Sequence, residues 1–583
     1  MRICWSLILL DHYKWRGTEI CRCNLTHRQR METVMNRRTW AHPLGYALIS
    51  ALVLTGCGGG VNDPSSSGAG SGQSAVSSTG ASSVTAGGAP TGSTNGSPTG
   101  SSTGSTSGST TGNSTGTGGS TTGSSGGTTT PVADVQSVIH PAALWLDDAG
   151  NPIQAHGGGM FQVNNTYYWV GEDKTGETSS GTFQNVKCYS STNLQSWHFE
   201  GNALSPQPTG DIAASQVVER PKVVYNSTSK QYVMYMHVDN TSYSFARVGV
   251  ATSSTPCGPY TYQGSFMPPN SSSSRDMGLF KDDDGTVYLL SEDRDVGTHI
   301  YKLTSDYLSV DSLVYTIGGP NQSIALEAPT MFKANGYYFV IGSGLTGWNL
   351  NDNFFMAAST PAGPWTGPTT LAPSGTNTFS SQATYVVPIA GSSGTTYLYM
   401  GDRWNGNYLQ NSSYVWLPLD ANGGTIRLAQ WDNTFGIDLT TGALQSSTSS
   451  LDYDMASPGT SLSGGAGSYS CSQCFLSASA INYLGGPGNG TVTFSGINSQ
   501  GPTTQTLYIS YINNDVAPRY ATVTTNGNAG VVVTFPPVGN YGGVVSVPVN
   551  LMAGANSIAI SGATVSGQNT TYAPDVEEIF FDN

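Results

Sequence analysis

Between residues 136 and 447 one pattern recurs five times: a small turn followed by a strand rich in aromatic residues. It reads Asn165–Trp169, Lys230–Tyr235, Asp284–Tyr288, Asn335–Phe339 and Gly394–Tyr399, at a spacing of about 50–65 residues. After three of these strands a run of small residues closes on an aromatic one, at Ser191–Trp197, Ser254–Tyr260 and Ser359–Trp365. With 74 glycines and 30 tyrosines the chain favours short strands joined by tight turns. Helical periodicity is sustained nowhere. Such a repeat cannot bury its apolar face alone, so the units must stack on one another. Five four-stranded units in radial order predict an all-β fold, a five-bladed β-propeller over 136–447. A pair of packed β-sandwiches is the alternative architecture.

The flanks differ in composition. Residues 448–583 carry strand-like runs such as Thr506–Tyr511 and Gly530–Phe535, which suit one jelly-roll-like β-sandwich. Residues 58–135 are dominated by Ser, Thr and Gly and cannot bury a core, so they are expected to be a flexible linker. Seventy such residues span roughly 45–50 Å r.m.s.. Residues 1–57 read as an extension and an address. Met35–Arg38 is basic, the stretch to Thr55 is small and apolar, and Leu54–Cys57 resembles a bacterial lipobox, whose cysteine is lipidated after cleavage. The apolar run is shorter than a membrane span of about 20 residues. The chain is therefore expected to be secreted to the outer membrane or cell surface and held only by a lipid on Cys57. An ordinary secretion signal is the alternative.

Charged residues make up only 10 % of the chain, against about 25 % in an average globular protein. The net charge is −14, and beyond residue 57 it is −19. An acidic body without a basic stripe repels phosphate backbones and excludes nucleic acid as a partner. A weakly charged surface rich in Tyr and Trp suits neutral ligands with apolar faces, as sugars have. Of eight cysteines four lie in the body. Outside the cytosol disulfides persist, so Cys471 and Cys474 are expected to form a local bridge, with free thiols or a metal site as alternatives. Cys188 and Cys257 sit at similar places in adjacent repeats and are candidates for a second bridge.

Chemistry is sought a fixed distance upstream of each hairpin. There stand His156, Glu219, Asp276, Glu327 and Gln382, each heading its repeat: His156–Gly159, Glu219–Lys222, Arg275–Gly278, Leu326–Pro329 and Ser381–Thr384. Strands that begin at equivalent points bring these side chains to one mouth of a propeller channel. Three carboxylates in a sugar-sized pit are what glycosidic hydrolysis needs: one acid protonates the leaving oxygen while another group activates water or attacks carbon. Calcium binding or strand capping is the alternative use of these carboxylates.

These heads, in this order, resemble glycoside hydrolase family 43, over roughly 140–445, and within it the exo-β-1,3-galactanase branch. The resemblance implies an inverting hydrolysis of β-1,3-linked galactose from galactan or arabinogalactan; no cofactor is expected, and the chain is expected to be a monomer. It implies Glu327 as the general acid and Asp276 as the residue that tunes and orients it. Most of the family has an aspartate base in the first repeat, where this chain has His156. The branch shares that absence, with Gln382 at the base position and Glu219 beside it. His156, Tyr243, Trp348, Arg403 and Trp404 are the expected sugar contacts, although a buried tryptophan is as often core. Another activity of the family (arabinofuranosidase or β-xylosidase) and a non-catalytic glycan-binding lipoprotein are the competing readings. Residues 448–583 look like a family 35 carbohydrate-binding module, in which Ca2+ is usual, and are expected to add affinity for polymer rather than to assist the chemistry. No other metal ligand is assigned.

Overall fold

The computed structural model describes residues 136–582, apart from 180, 319–325, 446–450, 472–473, 475–476, 540 and 568–570. The lipidation site at Cys57, the signal and the Ser/Thr/Gly-rich segment lie outside the described residues. Within them the chain is all-β. Five successive four-stranded antiparallel sheets run in simple sequence order, each strand bonded to the next. Their first strands are His156–Val163, Val217–Asn226, Met277–Lys281, Glu327–Ala334 and Gln382–Gly391. Each first strand packs against the first strand of the neighbouring sheets, and the fifth returns to the first. The hairpins follow turn chemistry. Asn335 and Gly336, between the first two strands of the fourth sheet, both have positive φ (50° and 78°), the pair a tight hairpin asks for. Apolar cores fill the spaces between sheets, among them a cluster of Trp169, Trp197 and Trp416 joined edge to face. Cys188–Cys257 ties the first sheet to the second, and Cys471–Cys474 closes a short loop, as expected from the sequence.

Two further features place the site. A three-stranded sheet joins Gln136–Ile139 to Phe435–Asp438 and Ala443–Gln445, so both ends of the repeat region are pinned together. The C-terminal residues form two antiparallel sheets, of six and five strands, that share one apolar core containing Phe494, Ile509, Phe535 and Ile558. This module is not a bead on a string. Val544 exchanges backbone hydrogen bonds with Ala142 and Leu144 (3.1 and 2.9 Å). His140 bonds Asp582 at 2.8 Å and stacks on Tyr508.

Candidate active site

Four of the five first strands carry a bulge just inside the head residue, with register shifts at His156/Gly159, Glu219/Lys222, Glu327/Thr330 and Ala383/Tyr385. In the first three cases the residue after the head is left-handed: Gly157, Arg220 and Ala328 have φ of 55°, 53° and 53°. Bulges re-aim side chains, and left-handed non-glycine backbone is strained unless its surroundings fix it. Here a carboxylate of the preceding sheet fixes it each time. Asp402 accepts from the Gly157 N–H (2.7 Å), Glu172 from Arg220 (2.9 Å) and Asp276 from Ala328 (2.9 Å). A side chain on Gly157 would lie 2.0 Å from the Glu172 carboxylate, so only glycine fits there.

The heads pair with a second ring of polar residues at the ends of the second strands. His156 lies opposite Glu172, Glu219 opposite His237, Glu327 opposite Ser343 and Gln382 opposite Asp402. Glu292 and Asp276 are backbone partners in the same way. Sequence reading missed this ring: its members lie at different distances from the strand ends, and only register sets each one opposite a head. It also missed Arg220 and Arg294, which sit beside recognised residues.

Glu219, Asp276, Glu327 and Gln382 converge on one cavity of about 260 Å3, whose wall also includes Tyr243 and Trp348. Glu327 accepts from Arg294 Nη2 at 2.8 Å, and Gln382 Nε2 lies 3.4 Å from its other oxygen. Burial pushes the Glu327 carboxyl up to about 8, assisted by the charges of Asp276 and Glu292 and opposed by the arginines. Asp276 accepts from Arg220 Nε at 3.0 Å. The Gln382 amide is fixed in one orientation. Its oxygen accepts from Arg220 Nη2 (2.5 Å) and Trp404 Nε1 (2.8 Å), and its nitrogen donates to Ser343 (2.8 Å). The remaining Arg220 amino group, Nη1, is buried in the wall without a partner.

Glu219 has the opposite electrostatics to Glu327. Burial raises its carboxyl, but His237, Lys174 and the Tyr243 hydroxyl (2.8 Å) outweigh burial and hold it well below the usual range. His237 lies between Glu219 (3.2 Å) and Asp239 (3.0 Å). These carboxylates overcome burial and raise the imidazole, so it carries a proton at neutral pH. Glu219, His237 and Asp276 bring three ligand-type atoms within 4.8 Å of one another.

Two expected sugar contacts lie elsewhere. His156 is wholly buried, its Nδ1 on Asp402 at 3.1 Å and its ring stacked on Tyr414, so it supports the wall from behind Trp404. Arg403 faces away from the cavity: its guanidinium bonds the backbone carbonyls of Phe379, Ser380 and Gly542. Trp404 reaches the cavity, with its indole N–H taken by Gln382, and Trp348 stands edge-on to it at 5.0 Å.

A proton-bearing carboxyl, an ionised one and a set of directed donors around a cavity of this size are what glycosidic hydrolysis needs. Comparison with known proteins agrees. Residues 151–349 match the profile of glycosyl hydrolases family 43, and residues 491–571 match that of the CBM13 domain of an alpha-galactosidase, which replaces the family 35 likeness expected from the sequence. The exo-β-1,3-galactanase of Phanerochaete chrysosporium, solved with β-1,3-galactotriose and with galactose, is 38 % identical. The match covers 76 % of this chain and all of that one, with a TM-score of 0.64. An exo-β-1,3-galactanase from Clostridium thermocellum is 27 % identical over 76 % of this chain and 99 % of that one, with a TM-score of 0.49. No curated protein sequence matches the chain. The chain belongs to glycoside hydrolase family 43.

Proposed function

We propose that this enzyme removes galactose from the ends of β-1,3-galactan and arabinogalactan main chains, with inversion. The observation that carries the reading is the pairing of a neutral acid, Glu327, with the ionised Glu219 and the fixed amide of Gln382 around one cavity. Its identity to a galactanase solved with β-1,3-galactotriose supports the substrate. The five sheets are read as the blades of a five-bladed propeller over 136–447, and 448–583 as a carbohydrate-binding β-sandwich. In the reaction Glu327 gives its proton to the leaving oxygen, and Asp276 keeps that proton in place through charge. Tyr243 and Trp348 hold the sugar. No cofactor takes part. Incubation with β-1,3-galactan and with arabinogalactan tests this directly. Galactose is expected as the first product, initially as the α-anomer by NMR. Release of arabinose or xylose instead would contradict it.

Gln382 is placed on the base side, where its amide oxygen would orient the attacking water. Both lone pairs of that oxygen are already engaged by Arg220 and Trp404, and this favours a second reading, in which Glu219 takes the proton. Gln382→Ala and Glu219→Gln separate the two. Loss of turnover in Gln382→Ala alone supports the amide. Loss in Glu219→Gln, recovered with azide as the opposite-anomer galactosyl azide, supports the carboxylate. Ca2+ is proposed in the C-terminal module without an assigned site, since no three carboxylates come together as a ligand set among its described residues. A rise in Tm on adding Ca2+ and a fall with chelator are expected. The full protein is read as a monomer at the outer-membrane or cell surface.

A further inference from the structure

Gln382 follows an unusual piece of backbone. Asn377, Thr378, Phe379 and Ser380 all have φ between 50° and 54°, and together form one left-handed helical turn. Side chains disfavour this conformation at every step, so the turn exists only because something holds it. Part of the hold is local: Asn353 donates its backbone N–H to Thr378 Oγ1 (2.7 Å) and its amide to the Ser381 carbonyl (3.0 Å). The rest is Arg403. Its Nη2 donates to the Phe379 carbonyl at 3.0 Å, and its Nε to the Ser380 carbonyl at 3.3 Å. Its third hydrogen bond, from Nη1 at 2.6 Å, goes to the carbonyl of Gly542, in the C-terminal module.

The same loop of that module reaches the other wall segments. Pro537 accepts from the Asn405 amide at 3.4 Å, one residue beyond Trp404. The Tyr541 hydroxyl accepts from the Leu350 N–H at 3.5 Å, two residues beyond Trp348. A buried guanidinium also needs opposing charge. Burial lowers the Arg403 pKa, and the main effect against it is the buried Glu577 of the C-terminal module.

We infer that the C-terminal module is a working part of the catalytic centre. Arg403 is the positioning residue that joins the module's loop at Pro537, Tyr541 and Gly542 to the left-handed turn that precedes Gln382. The inference rests on the reading of Gln382 as a group on the reacting side. It goes beyond the affinity for polymer expected of a binding module, because the module then sets turnover even on a substrate too short to span two sites. Arg403 itself touches no sugar.

The test uses the full chain on β-1,3-galactobiose, with kcat, KM and Tm measured for Arg403→Gln, Arg403→Lys and Glu577→Gln beside Gln382→Ala. A misplacement of about 1 Å costs on the order of 100-fold. Arg403→Gln is therefore expected to lower kcat about 10- to 100-fold with KM little changed. Arg403→Lys, which keeps charge but loses the fork, should fall between it and the parent, and Glu577→Gln should lower kcat less. If Arg403→Gln does not fold, the other two variants decide. Arg403 and Glu577 variants that lose Tm but keep the parent kcat, beside an inactive Gln382→Ala, overturn the inference alone. A fully active Gln382→Ala overturns the reading of Gln382 and the inference with it.

Discussion

At the scale of single residues the site separates two carboxylates by environment. Glu327 lies among other acids in a buried wall and keeps its proton, while Glu219 is surrounded by donors and loses it. Glu292, itself pushed up to about 7 by burial and by Asp276, is a neighbour that raises Glu327. A general acid works only while protonated, so kcat/KM should fall as pH rises through the Glu327 pKa. Glu292→Gln removes a negative neighbour and favours ionised Glu327. Its pKa then falls, and the alkaline limb of the pH profile should move to lower pH. A limb that stays in place or moves upward would show that Glu292 does not act on the acid.

At the scale of elements the bulges matter more than the strands. A bulge is fixed by local backbone and a distant carboxylate, which is why the five heads were legible in the sequence and their partners were not. The heads recur at one offset from a visible hairpin. Glu172, Glu292 and Asp402 acquire meaning only when register sets them opposite a head or beneath the next sheet's left-handed residue. Arg403 shows the same limit: its place in Asp402–Trp404 suggests a sugar contact, but its side chain turns away from the cavity toward the C-terminal module. Two substitutions test the bulges. Gly157→Ala forces a methyl group into Glu172 and should cost about 1–3 kcal/mol in stability, read as a lower denaturation midpoint. Ala328→Gly relieves a left-handed alanine and should gain about 1 kcal/mol. If both are neutral, the carboxylate–bulge bonds are not fixing the backbone.

At the scale of the whole molecule, composition suggests where each module begins but cannot show that the second touches the first. The boundary near residue 448 is a change in residue usage; the contact lies about ninety residues later, in a Pro- and Gly-rich loop that reads in the sequence as an ordinary turn. The N-terminal address is testable by itself. Cys57→Ala should move the protein from the membrane fraction to the soluble one, and equal partitioning of both forms would remove the lipid anchor. The central claim is that Glu327 is the proton donor of a galactan hydrolase. The most direct measurement is galactose release by the parent and by Glu327→Gln from native β-1,3-galactan and from an aryl β-galactoside with an activated leaving group. The account predicts a loss of about 10²–10⁴ on galactan and a much smaller loss on the aryl substrate, which leaves without a proton. Undiminished cleavage of galactan by Glu327→Gln would contradict it.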